Sequence, residues 1–554
     1  METKTGRYKI IEQFVADKMF YMFGNPGTVE QGLLDAIEEY PQMKYILTLQ
    51  ESVAVMMADG YARSTHKPTL VQLHSSPGIG NGVGALYQAK RGHSPLVVIG
   101  GDAGVKYLNM DAQMSGDLVA MMEPVTKYST MVTETKSLLR TLRRAIKIAA
   151  TPPMGPVYVC LPMDILDEVN DESVFPTPIP STRVLPDKSI IKQSAEILIS
   201  ANKPIIFMGD GVAYSDANTE LTRLAELLGA EVYGVDVGDL NMDYTHPLYQ
   251  GTTEHMLGSY SLPITQKGDV NLVIGTYMMP EVFPELGNIF SPNAKVIHFD
   301  LNVYEIAKNH RVDLAAVSDP KLTLQALIEE IEKTITKKQR KIVATRIQKI
   351  GNLKQQKIDS KKQADTKLKN QVPLHMPQFA EELSKRVPDD VIIFDEGLTN
   401  SLAISRYIPP RYPGSYFLVR GGSLGVGIPG AIGVKIANPK KVVIGFTGDG
   451  AAMYTIQALW SAARYKTRAK FVVCNNSSYK LLQNNIDHYW KEQNIQSRKY
   501  PLSFDLSYPT IRFDLLAQSM GVSSVRVEKP EEIVPAIDKM LADDKPFLID
   551  LVLD

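Results

Sequence analysis

Short continuous runs of β-branched and other apolar residues recur along the whole chain, and stretches of helical periodicity separate them. In the first third the runs are KYILTL, PTLVQL and PLVVIGG. In the middle they are KPIIFMG, VNLVIG and AKVIHFD, and in the last third DVIIFD, KVVIGF, KFVVCN and PFLIDLV. A strand with one face in water alternates apolar and polar residues, and these runs do not alternate. They read as parallel strands covered by helices on both faces. The predicted class is therefore α/β, built from doubly wound parallel sheets.

Two stretches interrupt this rhythm. Residues 171–189 hold four prolines and read as an extended linker. Residues 337–371 are Lys-rich and poor in apolar residues, which predicts a solvated helix or tether and not a basic binding patch. The breaks leave three blocks, 1–170, 190–335 and 372–554, and the first and third share an order of strand, glycine turn and helix. The net charge of −1 gives no reason to expect nucleic acid or an anionic membrane as a partner. The two cysteines, Cys160 and Cys474, sit in apolar runs and are too few for a disulfide framework or a thiolate metal site. The start METKTGRYKI lacks the apolar core of a signal peptide, and no stretch approaches the ~18 apolar residues of a membrane span. A cytoplasmic protein is the expectation.

The chemistry concentrates in FTGDGAAMYTIQALWSAARYKTRAKFVVCNNSSY, Phe446 to Tyr479. A strand ends at Gly448-Asp449-Gly450, a helix follows, and the next strand ends at Asn475-Asn476. Asp449 and Asn476 thus lie at the carboxyl ends of two parallel strands, where open α/β sheets bind ligands. Both offer oxygen to a hard cation such as Mg²⁺. The glycines allow close approach of backbone, and the helix start at Ala451 presents free N–H groups to an anion. The pattern predicts a divalent metal bridging to a diphosphate. A second Gly-Asp-Gly, residues 209–211, has no asparagine pair at the matching distance and reads as a turn.

Gly448-Asp449-Gly450 with Asn475-Asn476 resembles the signature of thiamine-diphosphate-dependent enzymes. The resemblance covers essentially the whole chain. It implies three α/β domains: pyrimidine-binding (1–170), central (190–335) and diphosphate-binding (372–554). It also implies that Asp449, Asn476 and the backbone at Ser478 hold Mg²⁺, with Gly448, Gly450 and Ala451 at the diphosphate. In YILTLQESVAVMMADGYAR, Glu51 matches the family's activating glutamate, which exchanges a proton with the cofactor's pyrimidine ring. By itself Glu51 also reads as an acid favoured by a helix N-terminus. In RGGSLGVGIPGAIG, Leu424 matches the residue that props the cofactor into a bent shape, and the Gly422 carbonyl matches the acceptor for its amino group. In FDEGLTNS, Thr399 or Asn400 is expected near the diphosphate.

The first block is similar to benzoylformate decarboxylases. His74, at the end of TLVQLH, matches a histidine that transfers protons there, and imidazole titrates close to working pH. Thr28 falls where that group has a substrate-contacting serine. Two departures stand out. The central block has no histidine where the decarboxylases have a second one; Glu281 and Val282 are nearest. Asn485 falls at a position that is aromatic in the decarboxylases, so a more polar pocket is expected. Gln113, in LNMDAQMSGDL, resembles a glutamine of acetolactate-synthase-like carboligases. The resemblance implies decarboxylation of a 2-oxo acid to an aldehyde, with carboligation to a 2-hydroxyketone as the alternative. A non-catalytic cofactor-binding protein is a remoter alternative, disfavoured by Glu51. A nicotinamide dehydrogenase is disfavoured because neither VVIGGDAG nor IFMGDGVAYS completes G-x-G-x-x-G. The resemblance further implies a homodimer at least, and a homotetramer by preference, with Glu51 of one subunit acting on a cofactor held by another. Flavin in the central block, and the roles of Lys480, Asn485 and His488, are left open.

Overall fold

The computed structural model describes residues 4–542 and 544–554. The chain divides into two compact units. One contains Met1–Pro180, Leu368–Tyr407 and Val419–Asp554; the other contains Ser181–Lys367 and Ile408–Leu418. The first and third sequence blocks thus share a unit, except for Ile408–Leu418 of the third, and the Lys-rich stretch as far as Lys367 belongs with the middle block.

The first sheet comprises β1 (Tyr21–Gly24), β2 (Lys44–Leu47), β3 (Thr69–His74), β4 (Leu96–Asp102), β5 (Ser129–Met131) and β6 (Val157–Pro162), in the order β2-β1-β3-β4-β6-β5. Every pairing is parallel. All residues of β4 and β6 are buried, as their unbroken apolar runs predict. Val97, Ile99, Val157 and Val159 pack against Phe14, Leu142 and Ile146 from the flanking helices, and burying each large side chain contributes about 1.5–3 kcal/mol. The order of strands reverses between β1 and β3. The loops leaving their carboxyl ends diverge there and open a crevice. Two helices begin at this edge: α1 (Glu51–Thr65) after β2, and α2 (Ser75–Arg91) after β3.

The middle unit repeats the plan. Its strands are β7 (Pro204–Met208), β8 (Glu231–Gly234), β9 (Tyr249–Thr252), β10 (Val270–Ile274), β11 (Lys295–Asp300) and β12 (Leu314–Val317), all parallel, in the order β9-β8-β7-β10-β11-β12. The Lys-rich stretch is a 30-residue helix, α3 (Lys337–Thr366), started by a Thr336/Gln339 capping box. Only Ile350 and Asp365 of it are buried. Its cations dock it: Arg346 donates to Leu228 O at 2.9 Å, and Lys354 to Tyr244 O and His246 O at 2.6 and 2.7 Å. The proline-rich stretch has neither helix nor strand between residues 171 and 187.

The third sheet returns to the first unit with β13 (Ile392–Glu396), β14 (Val443–Gly448), β15 (Lys470–Asn475), β16 (Ser523–Val527) and β17 (Phe547–Val552). These pair in parallel in the order β13-β14-β15-β17-β16. Its helices α4 (Gly427–Ala437), α5 (Asp449–Thr455) and α6 (Ala458–Arg464) follow. Helix α4 crosses α1 at backbone contact. A Cβ on Gly433 would lie 1.9 Å from Met57 O, and one on Gly60 would lie 2.2 Å from Gly430 O. Glycine at these positions is what lets the two halves of the unit close. Among the described residues no helix is long and apolar enough to cross a membrane.

Candidate active site

Two groups of side chains form at carboxyl ends of parallel strands, one on each sheet of the first unit. The first begins with Glu51, the opening residue of α1, which is only 9% exposed. Gln50 caps the helix by accepting from Val53 N, so the Glu51 carboxylate is left free for other partners. Its Oε2 accepts from Asn81 Nδ2 at 3.1 Å. Its Oε1 is 3.0 Å from where a Gly78 Cβ would sit, and His74 Cβ is 3.3 Å from the same point. A bare glycine backbone therefore separates Glu51 from His74.

His74 is oriented by a residue that motif reading passed over. Its Nδ1 lies 3.0 Å from Glu30 Oε2, and the Glu30 side chain is only 3% exposed. Glu30 also accepts from Gly27 N at 3.1 Å and Gly101 N at 2.9 Å. Burial pushes the Glu30 pKa up, and His74 and the two amides oppose that shift. With three donors aimed at it, the carboxylate assigns the proton to His74 Nδ1 and leaves Nε2 on the far side of the ring. Gly27 makes room: a Cβ there would lie 1.9 Å from His74 Cγ. The local signal was GNPGTVE, in which an acid stands three residues beyond that glycine. Thr28 is exposed in the same loop. Gln113 is exposed in a loop pinned beside His74, because Ser76 Oγ donates to Met114 O at 2.8 Å.

The second group is built on β14 and β15. Asp449 opens α5 and is buried. Its Oδ1 accepts from Gly450 N at 2.7 Å, while its buried Oδ2 has no partner among the described residues. Burial pushes its pKa up to about 6, against the backbone amides of Gly450, Ser477, Ser478 and Asn476. The asparagine pair divides its work. Asn475 Nδ2 donates to Asp550 at 2.9 Å inside the sheet, while Asn476 Oδ1 turns back to Ser478 N at 3.2 Å. Ser477, at φ +53°, makes that reversal, and Ser478 pairs with Asp505 across it.

A fully buried acid, Glu396, joins the loop 421–427 to this group. It accepts from Gly425 N (2.7 Å), Val426 N (3.2 Å), Gly427 N (2.8 Å) and Thr447 Oγ1 (2.8 Å). Burial pushes its pKa up to about 7, against those donors. Thr455 of α5 donates to Gly425 O at 2.5 Å, so half-buried Leu424 and exposed Gly422 stand on a loop tied to the last residue of α5. Thr399 (exposed) and Asn400 (half-buried) form a single 3-10 turn just after Glu396. The decoy at 209–211 is structural: Asp210 is consumed by Gly238 N, Asp239 N and Asn241 Nδ2. Among the described residues no hydrogen bond or ion pair joins the Glu51–His74 group to the Asp449–Asn476 group.

The second group fits a hard divalent cation. It offers oxygen donors and an orphaned, desolvated carboxylate oxygen, and the space beside Gly448 is open. No cluster of three His, Cys, Asp or Glu exists among the described residues, which leaves this mixed set of carboxylate, amide and backbone oxygens as the candidate metal centre.

Comparisons with known proteins agree with this layout. Models described as thiamine pyrophosphate enzyme N-terminal TPP binding domain, central domain and C-terminal TPP binding domain match residues 4–121, 191–327 and 399–551. Benzoylformate decarboxylase of Pseudomonas aeruginosa is 28% identical, over 96% of this chain and 95% of that protein. The acetolactate synthase large subunit of Lactococcus lactis is also 28% identical, over 96% of this chain and 89% of that protein. Among solved structures, a thiamine diphosphate-dependent 4-hydroxybenzoylformate decarboxylase of Rhodococcus jostii superposes with a TM-score of 0.84 at 28% identity, covering 100% of this chain and 99% of that one.

Proposed function

Because this chain belongs to the thiamine pyrophosphate enzyme family, whose members among its relatives are decarboxylases and acetolactate synthases, we propose that it decarboxylates a 2-oxo acid to an aldehyde. When bound, thiamine diphosphate supplies an electron sink for the bond that breaks as CO₂ leaves. The observation that carries the reading is the dyad of Glu30 and His74 set against Glu51. Glu51, nine-tenths buried at a helix start, would exchange a proton with the cofactor's pyrimidine ring nitrogen. His74, with its Nδ1–H held by the Glu30 carboxylate, would take up a second proton at Nε2 and pass it to the carbon that has lost CO₂. Asp449, Asn476 and Ser478 would hold Mg²⁺ at the diphosphate, and Gly422 and Leu424 would shape its pocket. Thr28, exposed one residue beyond Gly27, would meet the substrate carboxylate. The same reading includes a homodimer in which each cleft is completed by a second subunit.

Carboligation is the second reading. Gln113, on the loop that Ser76 pins beside His74, would hold an acceptor carbonyl in this reading. Incubation with a panel of 2-oxo acids, with and without added aldehydes, followed by product mass separates the two. Free aldehyde from the acid alone supports decarboxylation. Hydroxyketone as the dominant product under both conditions would replace it with carboligation.

A further inference from the structure

A cavity of about 460 Å³ lies between the two halves of the first unit, and its wall carries Lys44, Lys435, Lys466 and Arg468 with the rings of Tyr21 and Tyr465. Among the described residues no carboxylate lines it. It lies at the opposite edge of the sheets from the catalytic groups. Tyr21 and Lys44 begin β1 and β2, whereas the Glu30 loop and Glu51 follow their carboxyl ends. Lys466 and Arg468 precede β15, whose five steps from Lys470 to Asn475 span about 17 Å at ~3.3 Å per residue. The volume suits a small metabolite.

The cavity is fixed by hydrogen bonds between the halves. Tyr465 Oη accepts from Leu47 N at 2.8 Å and donates to Tyr45 O at 3.2 Å, and Ser461 Oγ donates to Leu47 O at 2.9 Å. Lys435 is 7% exposed, with Nζ donating to Pro439 O and Lys441 O. Its pKa is lowered by burial first and then by the charge of Arg468. Lys44 stands 5.5 Å from the Tyr21 ring centroid. Lys466 adopts φ +51° just past the end of α6, a conformation that favours glycine. The carbonyl ends of α4 and α6 account for cations at 435 and 466, but not for Lys44 at the start of a strand. Asp544, paired with Arg468 at 2.7 Å, offsets part of this charge.

We propose that this cavity binds the phosphoryl group of a small metabolite, at a site separate from the catalytic cleft. Lys466 and Arg468 line it beside Lys44, which stands over the Tyr21 ring, and ammonium and guanidinium groups of this kind bind phosphoryl oxygens. The test is calorimetric titration of the holoenzyme, saturated with thiamine diphosphate and Mg²⁺, using ADP, inorganic phosphate and uncharged adenosine. A phosphorylated probe should bind with a dissociation constant below about 1 mM, with adenosine at least tenfold weaker. The double variant K466A/R468A should weaken that binding tenfold or more and keep turnover within twofold of the parent. ADP binding more tightly than phosphate assigns the site to a nucleotide; equal affinity assigns it to free phosphate. No binding of either anion, adenosine binding as well as ADP, or affinity unchanged in K466A/R468A would overturn the proposal.

Discussion

Replacing Glu30 with Gln tests whether His74 works as an oriented proton donor. The carboxylate receives three donors, Gly27 N and His74 Nδ1 on Oε2 and Gly101 N on Oε1, at 3.1, 3.0 and 2.9 Å. Glutamine keeps one acceptor oxygen and turns an NH₂ toward a donor. If the oxygen keeps its two partners, the NH₂ meets Gly101 N–H. If it keeps Gly101, His74 must adopt its other tautomer, and Nε2 then carries the proton in the neutral ring. Either way the negative charge beside the ring is lost. A hydrogen bond to a charged group contributes about 1.5–3 kcal/mol, and 1.36 kcal/mol is tenfold in rate. The expected fall in kcat for aldehyde formation is therefore about 10- to 160-fold, with KM for the 2-oxo acid changed less than about threefold because Glu30 is buried behind His74. A double-mutant cycle isolates the coupling: in a His74→Ala background, Glu30→Gln should cost almost nothing further. A Glu30→Gln variant within twofold of the parent, or one whose loss persists undiminished without His74, would refute the orientation argument.

Three further outcomes are expected. Glu51→Gln should retain thiamine diphosphate and Mg²⁺, read by calorimetry, and lose about 100-fold or more in turnover, since general acid–base catalysis contributes about 10²–10⁴-fold; turnover near the parent level would remove Glu51 from the chemistry. Gly433→Ala places a methyl 1.9 Å from Met57 O, where backbone cannot yield, so a loss of about 3 kcal/mol is expected as a lowered thermal midpoint; Gly448→Ala meets open space and should leave that midpoint in place. In the middle unit His298 is held neutral: Nε2 donates to Thr276 O, Nδ1 accepts from Ala307 N, and burial lowers its pKa to about 4. Because the folded state binds that proton less well than the unfolded chain, stability present above pH ~6.5 is lost as pH falls toward about 4, by up to ~3 kcal/mol. Hydrogen exchange at β10 and β11 should accelerate across that window beyond its intrinsic pH dependence, and flat protection would count against the assignment.

The fold was legible because its determinants are local. A buried parallel strand must be apolar on both faces, so VVCN or VVIGG announces itself within six residues. The same locality exposed Asp449 and Asn476, since only two short helices, where the sequence predicts one, and a strand separate them and both fall where strands end. Glu51 was visible only in part. Its place at a helix start admits a capping role, and it took Gln50 accepting from Val53 N to show that the cap is made by its neighbour. The Lys-rich stretch was ambiguous between helix and tether, because cations that donate to distant carbonyls, as Lys354 does to Tyr244 and His246, look identical in sequence to solvated ones.

Glu30 and Glu396 were invisible for a different reason. Apart from Gly27, three residues before Glu30, their partners lie across the fold, those at His74, Gly101, Gly425 and Thr447 being 29 to 71 residues away. Both are buried carboxylates whose acceptor capacity is filled mainly by backbone amides of glycine turns: Gly27 and Gly101 for one, Gly425 and Gly427 for the other. A desolvated carboxylate is costly unless such donors converge on it. Once they converge, the glycine turns are held in register by the acid as firmly as the acid is held by them. The residues that the motifs announce, His74 on one side and the Gly422–Leu424 loop on the other, thus depend for their position on acids that spacing alone does not reveal. A glycine-rich turn at a strand end is then better read as half of a clamp, and the informative question is which buried acid closes it.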